Sequence, residues 1–146
     1  MPDVTLSEMA AIFASAAALE AKGEKAGLEK AATIVEKAAK EAIGTYSFGW
    51  VQLAESTQAD RARKGFAPND PLLRTGKTRA SYEHQVQGRS AFVGSNSDIA
   101  MWDELGTSRM PPRPVLVPAL LRNKEKVARA VGATLVSTMF GGKVEP

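Results

Sequence analysis

Cysteine is absent from this 146-residue chain. That excludes a disulfide framework, a thiolate zinc site and a thiol nucleophile together, and it fits a reducing cytoplasm. Histidine occurs once, at position 84, so no helical pair of histidines can clamp zinc. Long hydrophobic runs are missing too. The apolar stretch from Leu6 to Leu19 is interrupted by Ser7, Glu8 and Ser15 and is too short to span a bilayer. No basic start precedes a compact apolar run, so a signal peptide is not expected. We read a soluble, unexported chain that does not insert into a membrane.

The motifs of catalysis are also scarce. Arg74-Thr75-Gly76-Lys77 is too short for a phosphate loop, and Ser95, Ser97 and Ser108 lack the strained elbow of hydrolase nucleophiles. Asp103 and Glu104 are adjacent. On a helix they point about 100° apart and cannot converge as an acid–base pair, so capping and solvation are their expected roles. The basic segment Arg61-Ala62-Arg63-Lys64 lacks interleaved aromatics on which bases would stack. His84 alternates with Tyr82 and Val86, which suits a structural histidine on a strand face. Neither an enzyme nor a cofactor or metal site is expected.

What is present suffices for one domain, 1–146. A chain of this size buries roughly 68–70% of its unfolded surface. Net charge is +3 and uneven: residues 1–73 carry 8 Lys/Arg against 10 Asp/Glu, residues 74–146 carry 11 against 6. A basic half can attract an acidic protein or nucleic acid.

The order of elements predicts an α+β fold. Thr5-Leu6-Ser7-Glu8 has the form of a capping box, with Val4 placed to staple onto Met9. Leu6, Met9, Phe13 and Ala16, then Leu28, Ala31, Val35, Ala38 and Ala42, follow helical steps. We expect one long helix over 5–43 that passes Gly23 and Gly27 and stops at a left-handed Gly44. Residues 44–71 read as loop-rich, with Tyr46 to Leu53 a strand or an aromatic plug and Thr57 to Lys64 a possible short helix. Arg61, Arg63, Lys64 and Phe66 mark a candidate mobile docking loop. A half-buried strand around Tyr82, His84 and Val86 turns back at Gly88-Arg89 through Ser90 to Ser95, a β-hairpin at the heart of a small antiparallel sheet. Asn96 or Ser97 caps a short helix that ends near Leu105 before Gly106. Met110 to Pro114 must be extended, and Pro118 sits in the first turn of a C-terminal helix running to about Met139. Residues 141–146 read as a flexible tail.

Trp102 has two readings, core packing or an interface anchor, because Trp and Arg are enriched where protein surfaces meet. The proline segment is either a rigid crossing loop or a stiff arm that binds at low entropic cost.

Within residues 71–121 several separate motifs agree with one family. They are Pro71-Leu72-Leu73-Arg74-Thr75-Gly76-Lys77, Ser81, Val93-Gly94-Ser95, Glu104-Leu105-Gly106-Thr107-Ser108, Met110-Pro111-Pro112-Arg113-Pro114 and Pro118-Ala119-Leu120. Together they resemble the neck and tail-completion proteins of tailed bacteriophages, also labelled head–tail joining, minor tail or virion morphogenesis proteins. Trp50 and Leu53-Ala54-Glu55-Ser56-Thr57 extend the likeness, so that it covers roughly residues 45–122. Thr78, Ile99 and Val115 depart from the residues usual at those places.

The resemblance implies a small α+β virion protein, made in the host cytoplasm, that assembles as a ring, usually hexameric. Such a ring sits between the head connector or head-closure protein and the tail terminator or tail tube, and DNA passes through it without being read. By the same resemblance, Trp102, Glu104, Arg109, Met110, Pro111, Pro112, Arg113 and Pro114 are candidate assembly-interface residues. No catalytic residue is implied. A competing reading from composition alone is a small basic DNA-binding domain associated with packaging.

Overall fold

The computed structural model describes the backbone of residues 6–140 and the side chains of residues 23–132. The Thr5–Glu8 capping box, the Leu6–Ala16 apolar face and the 141–146 tail fall outside these limits. The order is α1 (Leu6–Ala42), α2 (Glu55–Arg63), α3 (Lys77–Ala80), β1 (Tyr82–Gln87), β2 (Ser90–Ser95), α4 (Asp98–Leu105), α5 (Leu116–Arg122) and α6 (Lys124–Phe140). The fold is α+β, as the periodicities predict.

Helix α1 runs unbroken past both of its glycines. Gly27 has a packing reason to be there: a Cβ at this position would lie 2.9 Å from the Cα of Val131 on α6. With Ala31, Ala32, Ala39 and Ala42 also buried, α1 offers a face of small residues. That face lets α6 approach closely, and α1–α6 is the most extensive contact between elements. The helix stops as expected. Gly44 takes φ +91°, its N–H donates to the Pro71 carbonyl, and Arg79 donates to the Ile43 carbonyl. Among the described residues Leu72 is the one non-glycine residue with positive φ, at 61°, a conformation that costs a branched side chain about 1 kcal/mol or more.

The hairpin pairs Tyr82 with Ser95 through Gln87 with Ser90, so Gly88 and Arg89 form the two-residue turn. Gly88 alone of the pair has positive φ, at +58°, which suits a glycine-first turn. Strand β1 alternates as expected: Tyr82 buried, His84 and Val86 half-buried, and Glu83, Gln85 and Gln87 exposed. Its inner face packs on α1.

Two open readings are resolved and one expectation is corrected. The Tyr46–Leu53 cluster is not a strand. It is the plug: Trp50 is buried, meets Phe48 edge-on at 5.7 Å between ring centroids, and donates its indole N–H to the Pro114 carbonyl at 2.9 Å. Within 44–71 the possible short helix read at Thr57–Lys64 is present as α2, beginning two residues earlier. The C-terminal helix is two helices, broken at Asn123. The Asn123 amide side chain donates to the Ala119 carbonyl, ending α5, while its own carbonyl accepts from Val127 and opens α6. Asparagine favours such ends because its side chain competes for backbone groups.

The core gathers Val35, Ala39, Ala42 and Ile43 of α1 and its end, Trp50, Tyr82, Ala100, Val115 and Ala119. Every described element except α2 and α3 contributes to it or packs against it. Among the described residues no helix is long and apolar enough to cross a membrane.

Candidate functional site

Helix α4 is built inside out. At 100° per residue, Ile99, Met101, Trp102 and Leu105 fall within roughly 160° of its circumference. A core helix would turn that arc inward, yet these side chains are 53%, 50%, 48% and 76% exposed. The opposite arc carries Ala100, Asp103 and Glu104; Ala100 and Asp103 are buried and Glu104 is half-buried.

The Glu104 side chain and the Asp103 backbone carbonyl hold this inverted orientation. Glu104 accepts from the backbone N–H groups of Val115 (3.0 and 3.1 Å) and Leu116, satisfying the open donors at the start of α5. Its expected capping role is thus met, across a gap of eleven residues. Asp103 is corrected from a solvated group to a buried one, 4% exposed. Its carbonyl accepts from the Arg113 N–H at 2.7 Å. Burial pushes its carboxyl up to about 6, against the nearby Arg113 charge, which pulls it down, and with Glu104 adding to the rise. Burial likewise raises the Tyr82 hydroxyl, with Glu104 and Asp103 adding to it. The Asp103 Oδ2 and the Tyr82 hydroxyl have no hydrogen-bond partner among the described residues.

Arg113 is the other buried polar side chain of the corner, 4% exposed. It donates from Nε to the Val51 carbonyl (3.1 Å) and from Nη2 to that of Gln52 (3.3 Å). Gly106 makes the turn possible: it takes φ +76°, and a Cβ there would meet the Pro112 nitrogen at 2.9 Å. Thr107 and Met110 then pair by backbone hydrogen bonds before the extended prolines.

Of the eight residues expected at an assembly interface, Trp102, Arg109, Pro111 and Pro112 are exposed. Glu104, Met110 and Pro114 are half-buried, and Arg113 is turned fully inward to hold the 51–52 backbone. Sequence reasoning missed Ile99, Met101 and Leu105. A helical wheel over 98–105 carries their signal, since it collects all the large apolar side chains opposite Asp103 and Glu104.

Residues of the candidate docking loop make contacts within the fold. Arg61 donates to the carbonyls of Asp70 (2.8 Å) and Leu73 (2.9 Å), and Arg74 lies over the Phe66 ring at 4.8 Å. Arg63, Lys64 and Arg74 converge on Asp60, and hydrogen bonds from Lys64, then Arg63, hold its carboxyl below the usual range. His84 bonds to Glu36 through Nδ1 and to Glu29 through Nε2 (3.0 Å), joining β1 to α1. It is therefore paired in the way a structural histidine is. Among the described residues no group of three or more His, Asp or Glu is placed to hold a metal ion.

The pH dependence follows from these groups. The Asp103 pKa is raised by folding, so its contribution is fully present below about pH 4 and is lost as pH climbs through about 6. A rise of about two units corresponds to about 3 kcal/mol. His84 is raised by its bond to Glu36, against desolvation and with help from Glu29, so its contribution is lost above the ordinary histidine range. Glu36, lowered by Lys40 and then His84, acts oppositely and only on the acid side. Urea midpoints should therefore fall from pH 5 to pH 8, and less steeply in Asp103→Asn. A midpoint that rises over this range contradicts the assignment.

No family model, curated protein or solved structure matches this chain.

Proposed function

We propose that this chain is a structural virion protein of a tailed phage or prophage. It forms a ring at the neck, completes the tail, and joins it to the head connector or head-closure protein. The observation that carries the reading is the inverted helix α4. Four large apolar side chains on one helix face are exposed, while on the other face Asp103 is buried and Glu104 accepts from the Val115 and Leu116 amides. Apolar faces of this kind mark surfaces that meet another protein. Beside α4, exposed Pro111 and Pro112 extend the surface with residues that lose little entropy on docking, and Arg109 is of a type enriched at interfaces. The likeness of residues 45–122 to neck and tail-completion proteins supplies the class of partner: its own kind, the connector, and the tail terminator or tail tube, with DNA passing unread.

The DNA-binding reading draws less support. Its best cations, Arg63, Lys64 and Arg74, share the Asp60 carboxylate, and Arg61 is committed to two backbone carbonyls. Salt-sensitive retention of duplex DNA by the purified chain is the behaviour that would favour it.

Deleting the gene from a phage or inducible prophage that encodes it tests the proposal. Filled heads and finished tails should accumulate side by side unjoined, and the protein should be present in purified wild-type particles. Normal joined virions from the deletion overturn the proposal.

A further inference from the structure

A second surface on the same chain is shaped to receive what α4 presents. Between α1, β2, α5 and α6 runs an open groove of about 430 Å³, lined by Leu28, Val35, Val93, Leu120, Val127 and Val131 among others, and overwhelmingly apolar. A dry apolar cavity of about 150 Å³ accommodates a benzene ring, so this groove has room for an indole together with one or two aliphatic side chains. It shares no residue with the exposed face of α4.

The charges of the two surfaces are opposite. Helix α4 carries no base, and of its acids Asp103 and Glu104 face inward while Asp98 lies on the exposed arc between the apolar side chains. Along the α5–α6 wall Arg122 is turned to the Ser47 carbonyl and the Phe48 ring and Arg129 lies beside Glu125, which leaves exposed Lys124 as the base nearest the groove. Lys124 is three residues before Val127, hence on the same helix face as the groove-lining Val127 and Val131. An apolar knob edged by Asp98 and an apolar socket edged by Lys124 are complementary.

We infer that the socket is filled by α4 of a second copy of this chain, with Trp102 and Leu105 entering the groove and Asp98 meeting the Lys124 side. The inference rests on the assembly reading above and deepens it by naming both halves of the contact. Because knob and socket are different surfaces, the contact is head-to-tail. It closes into a ring or runs on as a filament, and does not stop at a two-fold dimer.

Mixing two disabled copies of the full chain tests this. Leu105→Glu spoils the knob and Leu120→Glu spoils the socket, both at exposed positions, with circular dichroism to confirm folding. Ser90→Trp, which fills the groove from an exposed strand position, replaces the socket variant if Leu120→Glu unfolds. The wild type should associate beyond a dimer in sedimentation velocity, and each variant alone should bind itself about 30-fold or more weakly. A one-to-one mixture should give a dimer and nothing larger, since only one intact knob and one intact socket remain. A wild type that stays monomeric at about millimolar concentration overturns the inference, as do variants that associate like wild type or a mixture that restores nothing. Those results leave the neck proposal standing if the gene deletion still leaves heads and tails apart.

Discussion

Replacing Arg113 with methionine should cost about 3–5 kcal/mol of folding stability at pH 7, the range for breaking one side of a buried charge arrangement. Methionine keeps most of the unbranched stem, so packing is little disturbed. What goes is the guanidinium. The carbonyls of Val51 and Gln52 lose their donors, and Asp103, itself 4% exposed, loses the one cation that lowers its pKa. At pH 7 Asp103 is largely ionised, because even its raised value is only about 6. The penalty should therefore shrink at pH 5, where the carboxyl takes up a proton. Urea unfolding at the two pH values checks both parts. A loss below about 1 kcal/mol at pH 7 would place this corner among ordinary surface substitutions and remove the reason given for the inverted helix.

The second large effect is on assembly and not on folding. Trp102 is half exposed, and among the described residues the large fully buried side chains are Tyr82, Ile43, Val115 and Pro71. Trp102→Ala should thus leave the unfolding free energy within about 1 kcal/mol of wild type, unlike the 3–5 kcal/mol typical of a core tryptophan. In an assembled ring the same truncation acts at every subunit contact. An aromatic anchor at an interface centre is worth about 2 kcal/mol or more, over tenfold in each contact, and repetition around a ring compounds it. A variant that unfolds on purification would instead assign Trp102 to the core.

Much of the fold was legible because its signals are local. The helix over 5–43 follows from three- and four-residue spacing and ends where Gly44 adopts positive φ. The hairpin follows from alternation around Tyr82, His84 and Val86 and a glycine-first turn. The break at Asn123 was missed because Leu116 to Phe140 keeps good helix formers on both sides of one capping residue.

The site was half legible. Trp102 and the exposed prolines stand out by residue type. The direction in which α4 faces does not, since Asp98 to Leu105 offers an apolar arc that would suit a core equally well. That choice is made by residues 10 or more positions away: Arg113 beside Asp103, and the open amides of Val115 and Leu116 that Glu104 satisfies. Long-range polar pairing of this kind leaves no period in the sequence. Conversely, the run from Arg61 to Phe66 looks free by composition, and only the fold brings Asp70, Leu73 and Arg74 to hold it.

That the apolar side of α4 is a joining surface can be put to one direct measurement. Phage carrying Trp102→Ala are grown beside wild type, and joined particles are counted by electron microscopy, with the stability of the purified variant measured in parallel. The account predicts an intact fold and a fall of at least tenfold in joined particles. A folded variant that yields the wild-type number of joined virions contradicts it.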